Sequence, residues 1–248
     1  MPTRKHTSPL AADHHVHSTF SDGRGTPEDN LSAARGAGLA RLGFVDHVRA
    51  DSGWLPAYTA HIRALAATSE IEITCGVEAK ILDLDGTLDL PADLRGIDRV
   101  VVADHQMPGA KGPIRPIDAR IALEAGALTR GRVVDDLVTA TEAALNRHEG
   151  VLLAHLFSVL PKMGLSEDDV TDDHLFRLVE AASRSGAAVE VSERWRCPTL
   201  RVTRAFFAAG VAVVPSSDAH EPRAIGEYDY VSDVFAAIHG DLEHAEVA

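Results

Sequence analysis

The 248-residue chain contains no apolar run of roughly 18 residues, so no transmembrane helix and no membrane partner are expected. Its start, "MPTRKHTSPLAADHH", carries basic residues but no apolar stretch long enough for a signal peptide. A cytoplasmic location is the resulting expectation. Cysteine is scarce: Cys75 and Cys197 lie far apart without CxxC spacing, which excludes a disulfide framework and a zinc ribbon. Basic residues are outnumbered, 24 against 37 acidic, for a formal charge of −13. That balance argues against general nucleic-acid binding, which calls for a basic face. A small anion stays within reach if metal ions reverse the sign locally. No composition shift or internal repeat divides the chain, so a single domain over residues 1–248 is expected, with its core at about 10–240.

Histidine, by contrast, is abundant, with 13 copies. Short Val- and Ile-rich runs at 10–17, 41–47, 71–77, 98–104, 150–155, 187–192 and 211–217 suit buried parallel strands. Segments of helical period at 27–38, 57–69, 132–148, 167–185, 198–209 and 222–238 separate most of them. Thr26 and Pro27 form a helix-start signal. Residues 105–131, with Lys111, Arg115 and Arg120, read as a loop with a short helix. This β–α alternation predicts an α/β fold: a parallel barrel with helices outside.

Almost every strand candidate ends in a residue able to bind a metal. His15 and His17 are two apart and so share a strand face. Asp22 follows in a turn whose Gly23 is expected at positive φ. His47, Glu78, His105 and His155 end the next four strands, and the last runs into Asp218 and His220. Barrel enzymes place their chemistry at the C-terminal strand ends, so six histidines and three carboxylates are expected on one rim. His14 points the other way. His6, His61, His148, His174, His239 and His244 are expected in the tail or on solvated helical faces.

At "DHHVHSTFSDG", "GFVDH", "GVEAK", "VADH", "LLAH" and "PSSDAH" the sequence resembles the polymerase and histidinol phosphatase (PHP) superfamily over roughly residues 10–230. The resemblance implies a distorted (β/α)7 barrel, TIM-like, holding up to three divalent ions, commonly zinc, manganese or iron. It implies one ion on His15, His17, Glu78 and Asp218, a second bridged by Glu78 to His105 and His155, and a third on Asp22, His47 and His220. Glu78, Asp218 and His220 are the expected catalytic residues. Basic residues that hold phosphate in relatives fall here at Arg196, Lys162 and Arg194. The sequence departs from the family pattern at Val45, Asp104 and Gln106, and Asp104 is expected to orient His105.

Metal binding lowers the pKa of water from 15.7 toward about 7, so a hydroxide bridging two ions would attack phosphorus without a side-chain nucleophile. The leading expectation is a hydrolase of small-molecule phosphate monoesters. The alternatives are a phosphodiesterase or cyclic-phosphate hydrolase, more weakly an amidohydrolase, and a non-catalytic metal-binding module. Trp195 is expected either to line the substrate wall or to pack between helices, and Cys197 carries no nucleophile role.

Overall fold

The computed structural model describes residues 8–245, with side chains described through residue 240. His6 lies outside the described residues, as does the side chain of His244. Seven parallel strands pair strictly in chain order: β1 (Ala12–Val16), β2 (Arg41–His47), β3 (Glu72–Lys80), β4 (Arg99–Ala103), β5 (Leu152–Ala154), β6 (Ala188–Ser192) and β7 (Ala212–Ser216). Helices α1 (Pro27–Gly36), α2 (Leu55–Thr68), α3 (Pro116–Glu124), α4 (Arg130–Arg147), α5 (Asp172–Ser185) and α6 (Leu200–Ala208) link most of them, and α7 (Tyr230–Ala245) follows the last. The expected seven-stranded barrel is therefore present.

The barrel nearly closes. No ladder joins β1 to β7; Val16 bridges Ala219, and His17 N donates to Ala219 O at 2.9 Å. The fully buried Asp13 carboxylate reinforces this seam by accepting Ser217 N (2.9 Å) and Gly226 N (3.1 Å). Residues in register on parallel strands share a face. Val45, Val101, Ala103, Leu152 and Ala154 thus pack together inside the barrel, on the same face as Glu78. The opposite face of the strands meets the helices through Phe44, Val77, Leu153 and Val189. Burying each such large side chain contributes about 1.5–3 kcal/mol.

Helix starts follow the local chemistry. Thr26 caps α1 with a reciprocal capping box to Asp29, and Pro27 fills the first turn. The periodic stretch 167–185 is broken where a single helix was expected. A 3-10 turn at Glu167–Asp169 ends before Thr171 caps α5, because Thr171 accepts from His174 N and offers the chain a new start. The stretch 222–238 breaks likewise: Pro222–Ala224 makes one 3-10 turn, Gly226 turns at φ 73°, and α7 begins at Tyr230. Between 105 and 131, Met107 pairs with Ile114 as a short hairpin before α3. β3 runs on to Lys80, so Glu78 sits inside the strand and not at its end.

Candidate metal centre

Six of the seven strands, all but β6, deliver donors to one mouth of the barrel. Glu78 is the hub. Its Oε1 lies 2.9 Å from His155 Nε2 and 3.0 Å from His105 Nε2. Its Oε2 lies 2.7 Å from His47 Nδ1 and 3.6 Å from both His15 Nε2 and His17 Nε2. Asp218 Oδ1 stands 3.1 Å from His17 Nε2, and Asp22 Oδ2 stands 3.3 Å from His220 Nε2 and 3.4 Å from His47 Nε2. All nine residues are thus within one cluster. Three groups of donor atoms converge tightly: His17, Asp22, His47 and His220; His15, His17 and Asp218; and His47, Glu78 and His105. This grouping differs from the expected one: it shares His17 and His47 between groups, leaves Glu78 out of the group with His15, His17 and Asp218, and includes His155 in none. The rings explain it, since His17 lies 4.5 Å from His47 and 4.1 Å from His220, centroid to centroid.

The donor set fits divalent cations. Two ligands about 2.1 Å from one tetrahedral ion stand about 3.4 Å apart. Several of the separations above match that edge better than a hydrogen bond. His15 Nε2, both ring nitrogens of His17, Glu78 Oε2 and Asp218 Oδ1 are buried without any hydrogen-bond partner. Buried polar atoms are seldom left so, and lone pairs aimed at a common point give them a purpose. Electrostatics agree. Burial raises the Glu78 carboxyl, but the His105 and His15 rings outweigh it and hold it well below the usual range. Burial would lower His155, yet Asp104 and Glu78 push it up to about 10. The cluster by itself seeks positive charge.

Several residues that the sequence reading missed hold the donors in place. Glu190, fully buried on β6, accepts His15 Nδ1 (2.9 Å) and His155 N (2.8 Å). Its only sequence signal is a charge inside an apolar strand. Asp46 accepts four bonds, from the amide and hydroxyl of Ser18 (2.9 and 2.7 Å) and of Ser21 (3.1 and 2.6 Å), and so locks the turn that presents Asp22. His155 (φ 29°) and Asp218 (φ 51°) occupy left-handed backbone, which costs about 1–3 kcal/mol for such residues and concentrates at functional sites.

Gly23 is not at positive φ, contrary to expectation. It is needed because a Cβ there would lie 2.5 Å from His17 C and O. Gly23→Ala is expected to cost about 1–3 kcal/mol through overpacking and to lower the melting temperature by several degrees, read by thermal unfolding. An unchanged melting temperature would refute this account of the turn.

Two further expectations need correction. Asp104 does not orient His105; its Oδ1 accepts Ser158 Oγ (2.9 Å) and lies 3.5 Å from His155 Nδ1, because β4 ends at Ala103 and turns the carboxylate toward β5. Arg196 does not line the centre. The turn after β6 is closed by Ser192 N bonding to Cys197 O (2.8 Å), and the left-handed backbone at Arg196 (φ 51°) sends its guanidinium over Tyr230, 5.0 Å from the ring centre. Lys162, Arg194 and Trp195 do line it, with Asp22, His47, Glu78, His105, Asp218 and His220, around a cavity of 230 Å³. Trp195 is therefore a wall residue: its Nε1 donates to Asp218 Oδ2 at 2.6 Å. Arg194 bonds to His220 Nδ1. His14 stands apart from the cluster, its pKa lowered to about 4 by burial and by Arg99 and Arg41. Burial also pushes the Cys197 thiol well up, as befits an inert thiol.

The family model for the PHP domain matches residues 13–194. No curated protein matches the sequence. Among solved structures, the chain is similar to the histidinol phosphate phosphatase of Lactococcus lactis, complexed with zinc, L-histidinol and phosphate. The TM-score is 0.67 at 18% identity, covering 92% of each chain. It is also similar to a Listeria monocytogenes protein provisionally assigned as a histidinol phosphatase, with TM-score 0.65 and 14% identity, covering 87% of this chain and 97% of that one. Among the described residues, no helix is long and apolar enough to cross a membrane.

Proposed function

The chain belongs to the PHP domain family, and from that premise we propose that it is a metal-dependent phosphatase hydrolysing a small-molecule phosphate monoester. One observation carries the reading: Lys162 and Arg194 line the same cavity as Glu78, Asp218 and the histidine donors. Divalent cations on those donors, zinc, manganese or iron in up to three sites, would supply charge neutralisation and a water acidified toward pKa about 7. The protein's own groups do the rest. Lys162 Nζ lies 4.2 Å from the Trp195 ring centre and the Arg194 guanidinium carbon 5.8 Å from it. The indole face thus gathers both cations, which would hold the outer phosphate oxygens. Trp195 also fixes Asp218 through Oδ2, leaving Oδ1 beside His17. A larger groove of 620 Å³ shares Asp22, Arg194, Asp218 and His220 and offers room for the leaving alcohol. Zinc, L-histidinol and phosphate in the Lactococcus structure suit this class of chemistry. A single-domain organisation over the whole chain and a cytoplasmic location accompany the proposal.

The test is a panel of phosphate monoesters, diesters and cyclic nucleotides with zinc, manganese and iron. Monoesters are expected to turn over best, and Lys162→Ala is expected to lower kcat/KM about 10–100-fold, the worth of a charged hydrogen bond. Preference for diesters by more than tenfold would transfer the proposal to a phosphodiesterase. Wild-type kcat/KM in Lys162→Ala would remove the lysine from the phosphate site.

A further inference from the structure

Above the donor layer, two neighbouring strands each carry a cation. His47 and Glu78 are register partners on β2 and β3, and Arg49 and Lys80 follow them by two residues each. Val48 N donates to Glu78 O at 2.9 Å, so the pairing continues one step past the end of β2. Residues two apart on a strand share a face, and Arg49 and Lys80 indeed line one cavity of 280 Å³. That cavity shares His47, Glu78 and His105 with the one holding Lys162 and Arg194. The centre is therefore flanked by basic groups on two sides, and hydrolysis of a simple monoester uses only one.

Lys80 is mostly withdrawn from water, with 24% of its side chain exposed and Asp89 Oδ2 3.3 Å from its ammonium. The other oxygen of Asp89 already accepts Ala50 N at 2.8 Å. Arg49 has no ion-pair partner among the described residues, and the buried Gln106 Oε1 has no hydrogen bond. Arg49 is exposed and Lys80 keeps a single ion pair, so both can offer donors to an anion in this recess, beside the centre and in a chain of charge −13. We propose that Arg49 and Lys80 form a second anion subsite, so that the substrate carries a second acidic group, carboxylate or phosphate, besides the phosphate that is hydrolysed. This rests on the phosphatase reading above. Two residues along a strand advance about 6.6 Å, which sets the spacing at a short carbon chain.

The test uses the metal-loaded protein and three probes that differ at one end: propyl phosphate, 3-(phosphonooxy)propanoate and propane-1,3-diyl bisphosphate. A kcat/KM at least tenfold higher for one of the two acidic probes is expected, and the preferred one identifies the second group. Arg49→Ala and Lys80→Met are each expected to cut that preference about tenfold. Equal kcat/KM for all three probes in the wild type, or an undiminished preference in both variants, overturns the subsite. If none of the three is hydrolysed, the phosphatase reading fails, and calorimetry then decides the subsite separately. Tighter binding of the bisphosphate than of propyl phosphate, lost in Arg49→Ala, sustains it, and equal binding ends it.

Discussion

Glu78→Gln is expected to abolish turnover, by about 10³-fold or more, while the barrel stays folded. Each Glu78 oxygen serves several rings: Oε1 reaches His105 and His155, and Oε2 reaches His15, His17 and His47. Glutamine has nearly the same shape, so packing survives. It removes the negative charge, however, and aims an NH2 at ring nitrogens whose lone pairs face inward. An amide nitrogen has no lone pair for a cation. Ion content per chain, measured by elemental analysis, is therefore expected to fall with activity. Retained ion content together with wild-type turnover would remove Glu78 from the metal centre.

Glu190→Gln is the second large effect, at a residue outside the donor cluster. The carboxylate accepts two bonds, from His15 Nδ1 and from His155 N. Accepting at Nδ1 fixes the tautomer of His15 that leaves the Nε2 lone pair free toward the cluster. A glutamine cannot accept twice with the same geometry. If its NH2 faces His15, the ring must accept at Nδ1 and carry its proton on Nε2, where no cation can then bind. If its NH2 faces His155 N–H, two donors confront each other at a residue already in left-handed backbone. Either way metal affinity is expected to fall about 10–100-fold, the usual cost of losing such a supporting carboxylate. Titrating zinc or manganese into the stripped variant, with circular dichroism as a check on folding, reads this directly. Wild-type affinity would show that Glu190 is only a buried charge.

The contrast between these two glutamates shows how far the sequence could be read. Glu78 is legible because strand periodicity and residue type suffice: a carboxylate near the end of a Val- and Ile-rich run, in step with histidines on other strands. The seven strands themselves were within reach for the same reason, with small errors at their ends. Glu190 was not legible. Its partner His15 is 175 positions away, and only the barrel's closure brings them together. Arg196 and Arg194 are indistinguishable as letters. Left-handed backbone in one turn sends the first to Tyr230 and leaves the second beside His220. The need for Gly23 is not legible either, since the crowding by His17 backbone arises from a fold-back that no local pattern encodes.

The weak join between β1 and β7 has a consequence for assembly. Those strands come from opposite extremes of the chain, yet His17 and Asp218 end 3.1 Å apart across the gap. A cation gripping both would act as a clasp where backbone pairing is thinnest. A chain lacking the last strand could not offer that grip, so this pair of donors is complete only with β7 in place. Once made, the clasp converts metal affinity into resistance against opening.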